Sequence, residues 1–153
     1  MLPALDTQSA VQAPEYAPLP TREQIVRLQS EMIPIQCDLP TPGHHFAPGM
    51  YLRELTVPAG MLIIGKIHKH AHFLMVLKGR ALVTSEFGNE EVSAGYIGVS
   101  QPGVKRVVYG IEDTLFVTVH ANKEDSQDLE EIEAEHIEPE TLGIARPAAE
   151  VLQ

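Results

Sequence analysis

The chain has 153 residues, of which 44% are hydrophobic, and a formal net charge of −10. This length and hydrophobic content predict one packed domain with tails and exclude a chain that is disordered throughout. The negative charge predicts no binding to nucleic-acid backbones or to anionic membrane surfaces. The single cysteine, Cys37, excludes an intrachain disulfide. No signal peptide and no apolar run of roughly 20 residues is visible, which predicts a cytoplasmic protein.

The N-terminal part, residues 1–40, is predicted to form an extended arm followed by a short helix. Prolines interrupt residues 1–20 without any periodicity, so this segment is either a floppy terminus or an arm that packs on a neighbouring subunit. Thr21 and Gln24 have the spacing of a capping box. Apolar residues then recur at helical spacing at Ile25, Leu28 and Met32. A helix over 22–32 follows from that pattern.

Short β-rich runs divided by Gly and Pro turn signals occupy residues 41–122. The predicted strands are Tyr51–Val57, Met61–His68, Phe73–Lys78, Ala81–Glu86, Glu91–Val92, Tyr96–Ser100, Lys105–Tyr109 and Leu115–His120. Many short strands with no helix between them indicate an all-β sandwich or barrel. Residues 61–64 and 73–77 are apolar on both strand faces, which predicts an outer face covered by the helix or by another subunit. His44 and His45, beside Pro42 and Gly43, are interpreted as loop histidines.

The C-terminal part, residues 123–153, is predicted to be an acidic extension. Between Glu124 and Glu140 there are nine carboxylates and no Lys or Arg. Leu129 and Ile132 are candidate anchors of a short helix in this stretch. The charges indicate either a solvated face or a contact with a basic partner.

The stretch most informative about function contains His68, His70 and His72 at alternate positions. On one straight strand, His68 and His72 would face the same side but would lie roughly 13 Å apart at about 3.3 Å per residue. One ion cannot reach both, because a Zn–N bond is about 2.0–2.1 Å long. A shared metal therefore requires a bend at residues 69–71, and we predict a hairpin with His70 at its tip.

The spacing around these histidines resembles the first motif of the cupin superfamily of small β-barrels. His72 is followed after six residues by Gly79, as a glutamate is followed by a glycine in that family. In this register Lys66 and His68 stand at the two motif-histidine positions. In a second register, His68 and His70 form the histidine pair and Leu74 takes the glutamate position.

A second cupin-like motif begins at Gly95 and reaches the turn at Pro102 and Gly103, with Arg106 where the family has its third histidine. The resemblance covers about residues 45–121. It implies an all-β, jelly-roll-like cupin-type β-barrel. The chain is also similar to uncharacterised cupin-like proteins of tailed phages, a likeness that would place it in a host cytoplasm or a virion. The segments that carry it are Pro48–Glu54, Gly65–His70, Gly103–Arg106, Asp113–Thr114, Thr118–His120 and Asp128–Glu133.

These positions predict a pocket inside one end of the barrel. His68 and His72 are predicted to hold a divalent transition metal (Zn, Fe, Ni or Mn), with His70 or His120 as a third ligand. Lys66 and Arg106 would repel a bare divalent ion, so they predict a small anionic ligand beside it. Two alternatives remain open: the two histidines are polar fillers of a small barrel, or the pocket binds an anion without a metal.

Two functions compete at this point. The first is a non-catalytic, homo-oligomeric binding or structural protein, assembled in part through its N-terminal arm. The second is a metal-dependent cupin enzyme of dioxygenase or isomerase type that acts on a small acidic substrate. Arg106 has a structural alternative of its own, an ion pair with Glu54, Glu112 or Asp113.

Overall fold

The structure is a computed structural model that describes residues 18–35 and 40–140. Most of the predicted arm (residues 1–17) lies outside the described residues, as do residues 36–39 with Cys37 and the C-terminal residues from 141 onward.

Two antiparallel sheets dominate the described residues. Along the chain the elements are α1 Arg22–Met32, β1 Gly43–Ala47, β2 Gly49–Val57, β3 Leu62–Ile64, β4 His72–Lys78, β5 Arg80–Ser85, β6 Gly88–Ser93, β7 Ile97–Ser100, β8 Val107–Gly110, β9 Thr114–Asn122 and α2 Leu129–His136. A five-stranded sheet has the order β1-β2-β9-β4-β7, and a four-stranded sheet has the order β3-β8-β5-β6. The predicted all-β, jelly-roll-like fold class is confirmed. Neither helix in the described ranges has the length and apolar character needed to cross a membrane.

The apolar core lies between the sheets. Its buried members come from both of them: Val57, Val76, Ala81, Val92 and Phe116. Because strand side chains alternate between faces, each strand sends every second residue into this layer. Burial of these side chains supplies the main driving force for closing one sheet over the other.

Helix α1 begins and ends where the sequence predicts. The Thr21 hydroxyl accepts a hydrogen bond from the Gln24 amide while the Gln24 side chain accepts one from the Thr21 amide, and this capping box satisfies two amides that the helix cannot. Ile25 is its one buried residue. Arg22 joins the helix to the sheets through an ion pair with Glu86 at 2.7 Å and a hydrogen bond to the Gly103 carbonyl.

The interpretation of His44 and His45 as loop histidines is wrong, because both lie in strand β1. A two-residue turn at Pro48 and Gly49 connects β1 to β2, with Ala47 opposite Met50. Gly49 has a φ of 75°, a conformation that glycine adopts without steric cost. Pro48 and Gly49 therefore form a tight connection between the two strands.

The predicted strand Met61–His68 is shorter in the structure, and the predicted hairpin is wrong. Strand β3 ends at Ile64, after which the Gly65 amide donates to the Arg106 carbonyl at 2.8 Å. β3 pairs with β8 in one sheet, whereas β4 pairs with β7 and β9 in the other. Residues 65–71 therefore cross from one sheet to the other instead of turning back within one.

Candidate metal centre

Three neighbouring strands change from apolar to polar toward the same end of the interior. Successive inward positions are Phe116, Thr118 and His120 on β9, Val76, Leu74 and His72 on β4, and Val57, Leu55, Arg53 and Tyr51 on β2. Because β9 runs antiparallel to both β2 and β4, its last inward residue meets their first ones. The fold thus collects the polar side chains of all three strands in one place.

The strand register places His72 beside His120. Phe73 is opposite Val119, so the preceding residue of β4 meets the following residue of β9, and Tyr51 of β2 is directly opposite His120. Ring centroids are 4.6 Å apart for His72 and His120 and 5.7 Å apart for Tyr51 and His120. These separations are those of cross-strand neighbours on one face of a sheet.

His68 joins the cluster from the crossing segment. The chain bends at residues 69–70, so the predicted bend between His68 and His72 is confirmed. Their ring centroids lie 4.1 Å apart, where a straight strand would separate the residues by roughly 13 Å. The His68 carbonyl accepts a hydrogen bond from the Gly103 amide at 3.0 Å, which fixes the backbone at the bend.

The three histidines have the arrangement of a metal ligand set. One nitrogen from each of His68, His72 and His120 lies within 4.8 Å of the other two. Two ligand nitrogens on one tetrahedral ion are about 3.3 Å apart, given Zn–N bonds of about 2.0–2.1 Å, so the separations here exceed that distance by at most about 1.5 Å. Nε2 of His120 lies 2.9 Å from the Thr118 hydroxyl, and Nδ1 of His72 lies 3.4 Å from the His70 carbonyl. Contacts of this kind orient a ring and leave its other nitrogen for a metal.

Burial keeps these imidazoles neutral. Desolvation, followed by the neighbouring His72, lowers the pKa of His68 from 6.5 to about 3. Desolvation, then His72 and His68, lowers the pKa of His120 to about 2. Burial also lowers the pKa of His72, and the backbone of His70 opposes that shift. A neutral imidazole retains the lone pair that a metal requires.

The predicted cations lie near the histidines but in different electrostatic settings. Lys66 forms an ion pair with Glu133, and both side chains are largely buried. Arg106 and the histidines line an interior cavity of about 280 Å³. Arg53, which sequence reasoning missed, lines the same cavity. Arg53 and Arg106 each have a pKa lowered by burial.

The alternative role of Arg106, an ion pair with Glu54, Glu112 or Asp113, is wrong. Within the described residues, Glu54 contacts His45 at 3.2 Å, Glu112 lies 3.9 Å from Arg80, and Asp113 accepts a hydrogen bond from the Ala59 amide at 2.8 Å. None of these three carboxylates forms an ion pair with Arg106 in that part of the chain. The guanidinium therefore remains available to an anion in the cavity.

His70 lies apart from the cluster. It is exposed, and its ring is edge-on to His136 at a centroid distance of 5.8 Å. The structure thus brings together His68, His72 and His120 of the four predicted ligands and leaves His70 at the surface.

Helix α2, which the sequence predicts from Leu129 and Ile132, brings to the site a further histidine that sequence reasoning missed. His136 is only 5% exposed, and its ring centroid lies 5.2 Å from that of His120. Leu129, Ile132 and Glu133 line the cavity with it. The spacing of these four positions, i, i+3, i+4 and i+7, defines one helical face. Extending the Leu129–Ile132 pattern by one turn places His136 on the same helical face, but it does not show that this face meets the cavity.

No family model matches the sequence, and no curated protein is similar to it. Several solved structures are similar in fold. A cupin-2 domain protein from Shewanella frigidimarina has a TM-score of 0.47 at 12% identity, covering 61% of this chain and 92% of its own. An RmlC-like cupin family protein with a double-stranded β-helix fold from Methanocaldococcus jannaschii has a TM-score of 0.45 at 19% identity, covering 58% and 87%.

An uncharacterised conserved protein with a double-stranded β-helix domain from Klebsiella pneumoniae has a TM-score of 0.47 at 19% identity, covering 60% and 86%. Because these identities and scores are low, the assignment of the two-sheet fold rests on the strand order and register described above.

Proposed function

We propose that this chain is a small cupin-like binding protein in which His68, His72 and His120 hold a divalent transition metal. The observation that carries the proposal is the convergence of three largely buried imidazoles, from three separate parts of the chain, on one point. Burial that depresses their pKa values makes protonation unfavourable and keeps all three rings able to bind a metal. An all-imidazole set suits Zn, Fe and Ni better than Mn, which prefers oxygen ligands.

A small anion is the second part of the proposal. A divalent ion next to Arg53 and Arg106 would leave the cavity strongly positive, whereas Glu133 already balances Lys66. An anionic ligand relieves that repulsion, and a guanidinium offers a planar fork for a carboxylate or phosphate. The anion therefore belongs against Arg106 and Arg53 rather than against Lys66.

Homo-oligomerisation is supported by the outer face of the five-stranded sheet. Phe73 and Val99 are opposite each other on β4 and β7, and both are more than half exposed, as is Ile97. A contiguous apolar patch of this kind on a soluble protein is typical of an interface. Light scattering is expected to give at least twice the 16.8 kDa chain mass, and Ile97→Glu is expected to reduce it. A monomeric wild-type chain would contradict this part of the proposal.

A metal-dependent enzyme acting on a small acidic substrate is the second candidate. The observation that favours it is the cavity of about 280 Å³ beside the histidines and the two arginines. Three protein ligands leave a coordination position for substrate or water, as catalytic zinc sites do.

The direct test is metal analysis of protein purified without a polyhistidine tag. We expect roughly one Zn, Fe or Ni ion per chain, as for a single three-ligand site, and loss of that ion in His72→Ala and His120→Ala. His45→Ala is the matched control, because His45 is exposed and its ring contacts Glu54 at 3.2 Å, away from the cluster. A wild-type chain that takes up none of these metals would refute the proposal. A double variant, His72→Ala with His120→Ala, that retains the ion would also refute it.

A further inference from the structure

Helix α2 covers the end of the interior at which the histidines converge. Leu129 and Ile132 contribute apolar surface to the cavity wall, and Glu133 and His136 contribute polar groups to it. All four share one face of the helix by their spacing. The acidic residues of the other face, such as Glu130 and Glu135, are exposed. The helix is therefore amphipathic, with its inner face turned toward the candidate site.

The end of α2 is hydrogen-bonded to the segment that carries His68. The Lys69 amide donates to the His136 carbonyl at 2.7 Å, and the Glu138 amide donates to the Ile67 carbonyl at 2.9 Å. His68 and Ile137 form an isolated antiparallel bridge. The backbone of a candidate ligand and the end of the helix are thus held as one unit.

His136 has a buried polar atom with nothing to bind. Its Nε2 is fully buried and has no hydrogen-bond partner among the described residues. A buried nitrogen without a partner costs free energy and calls for an explanation, such as a bound ion. The ring lies 5.2 Å from His120 by centroid, at the last residue of α2, where the chain leaves helical geometry at Ile137. The unpartnered nitrogen therefore belongs to a buried ring that neighbours the cluster.

We propose that His136 is a fourth metal ligand, so that α2 seals the ion inside a closed four-histidine site. This inference rests on the proposed function, because it assumes a metal at His68, His72 and His120. Closed four-ligand sites are structural, whereas catalytic sites keep a position open. The metal then fastens the C-terminal segment to the barrel, and the site serves assembly and stability rather than turnover.

Glu133 is assigned the other role on the same face. One carboxylate oxygen accepts from the Lys66 ammonium, so the residue fixes the helix electrostatically over the opening. Glu133→Gln is therefore expected to loosen α2 without changing the ligands of the ion.

Cobalt titration of the full chain tests the inference, because four-coordinate Co²⁺ absorbs far more strongly in the visible range than five- or six-coordinate Co²⁺. We expect an intense band for the wild type. For His136→Ala, in which water replaces one nitrogen, we expect a band at a different wavelength and an affinity reduced by at least about 10-fold, the scale of losing a supporting group at a metal site. Glu135→Ala, at an exposed position of the same helix, is the matched control and is expected to behave as the wild type.

Hydrogen exchange supplies a readout that does not depend on the folding of the variant. In the wild type, Zn²⁺ is expected to slow exchange of the Lys69 and Glu138 amides, which join α2 to the crossing segment. Equal cobalt spectra and affinities for wild type and His136→Ala, or exchange at these amides unaffected by bound Zn²⁺, would overturn the inference and leave the three-histidine site standing. A wild-type chain that binds neither ion would overturn both.

Discussion

The interior between the sheets has two ends with opposite chemistry, although the same strands build both. At one end Val57, Val76 and Phe116 pack in a layer that is almost fully buried. At the other end the same strands present Tyr51, His72 and His120. Burial of the apolar end stabilises the folded state. Burial of polar groups at the other end adds little stability, and these groups remain able to bind a ligand. Stability is therefore concentrated at the apolar end, and the proposed metal site lies at the other.

The largest expected difference is in stability without metal. Phe116→Ala is expected to lower the free energy of unfolding by about 3–5 kcal/mol, because it leaves a cavity in the core. His120→Ala in the presence of a chelator is expected to cost about 1–2 kcal/mol, mainly through the lost hydrogen bond to Thr118. Urea unfolding of both variants measures this, and equal costs would erase the distinction between the two ends.

The stabilisation by bound metal is expected to depend on residues of the histidine end and not on residues of the apolar end. At a free Zn²⁺ concentration about 100 times the dissociation constant, binding to the folded state adds about 2.7 kcal/mol to the free energy of unfolding. His72→Ala should lose this increment, while Val92→Ala should lose stability but keep the increment. Unfolding midpoints with and without Zn²⁺ provide the measurement, and an increment that survives His72→Ala would place the ion elsewhere.

Acid is expected to weaken the metal-free protein through the same residues. In the unfolded chain a histidine binds a proton near pH 6.5, whereas folding lowers the pKa of His68 to about 3 and that of His120 to about 2. The unfolded state therefore binds more protons below pH 6.5, and stability falls with decreasing pH from about 6.5 toward 3. The slope is at most about 1.4 kcal/mol per pH unit for each histidine.

A His120→Gln variant isolates this contribution from that of the carboxylates. Its unfolding free energy is expected to change less steeply between pH 6.5 and 4 than that of the wild type, because one proton-binding site of the unfolded state is gone. Parallel pH profiles for the two proteins would show that His120 is not protected from protonation by the fold.

Substitution of Arg106 is expected to have the smallest effect on stability. It is expected to weaken the binding of anions selectively. Arg106→Gln is expected to leave metal content unchanged and to weaken binding of oxalate or inorganic phosphate by about 10-fold or more, the scale of a charge-assisted hydrogen bond. Arg27→Gln, on the exposed face of α1, is the control. Calorimetric titration of metal-loaded protein would contradict the anion site if both variants bound these anions as the wild type does.

The alternation of inward and outward residues along each strand could be predicted from the sequence, whereas the contacts between distant elements could not. The inward series ending at His72 and His120 is visible as a period of two, and the metal-reach argument required the bend after His68 that the structure contains. Strand β1 was missed because Pro42 and Gly43 were interpreted as part of a loop, whereas Gly43 is the first residue of the strand.

His136 was missed for a different physical reason. Its position on α2 acquires meaning only when the helix packs over the cavity, and no local pattern encodes that docking. The same holds for the ion pair between Lys66 and Glu133, which changes the role expected for Lys66. Local periodicity specifies which face a side chain occupies, and tertiary packing decides what that face meets.

X-ray absorption at the zinc edge of the full, Zn-loaded chain reports the ligands of the ion themselves. We expect a first shell of nitrogen ligands at about 2.0–2.1 Å, with the outer-shell scattering of at least three imidazole rings. An oxygen-dominated shell without imidazole scattering would contradict the histidine site.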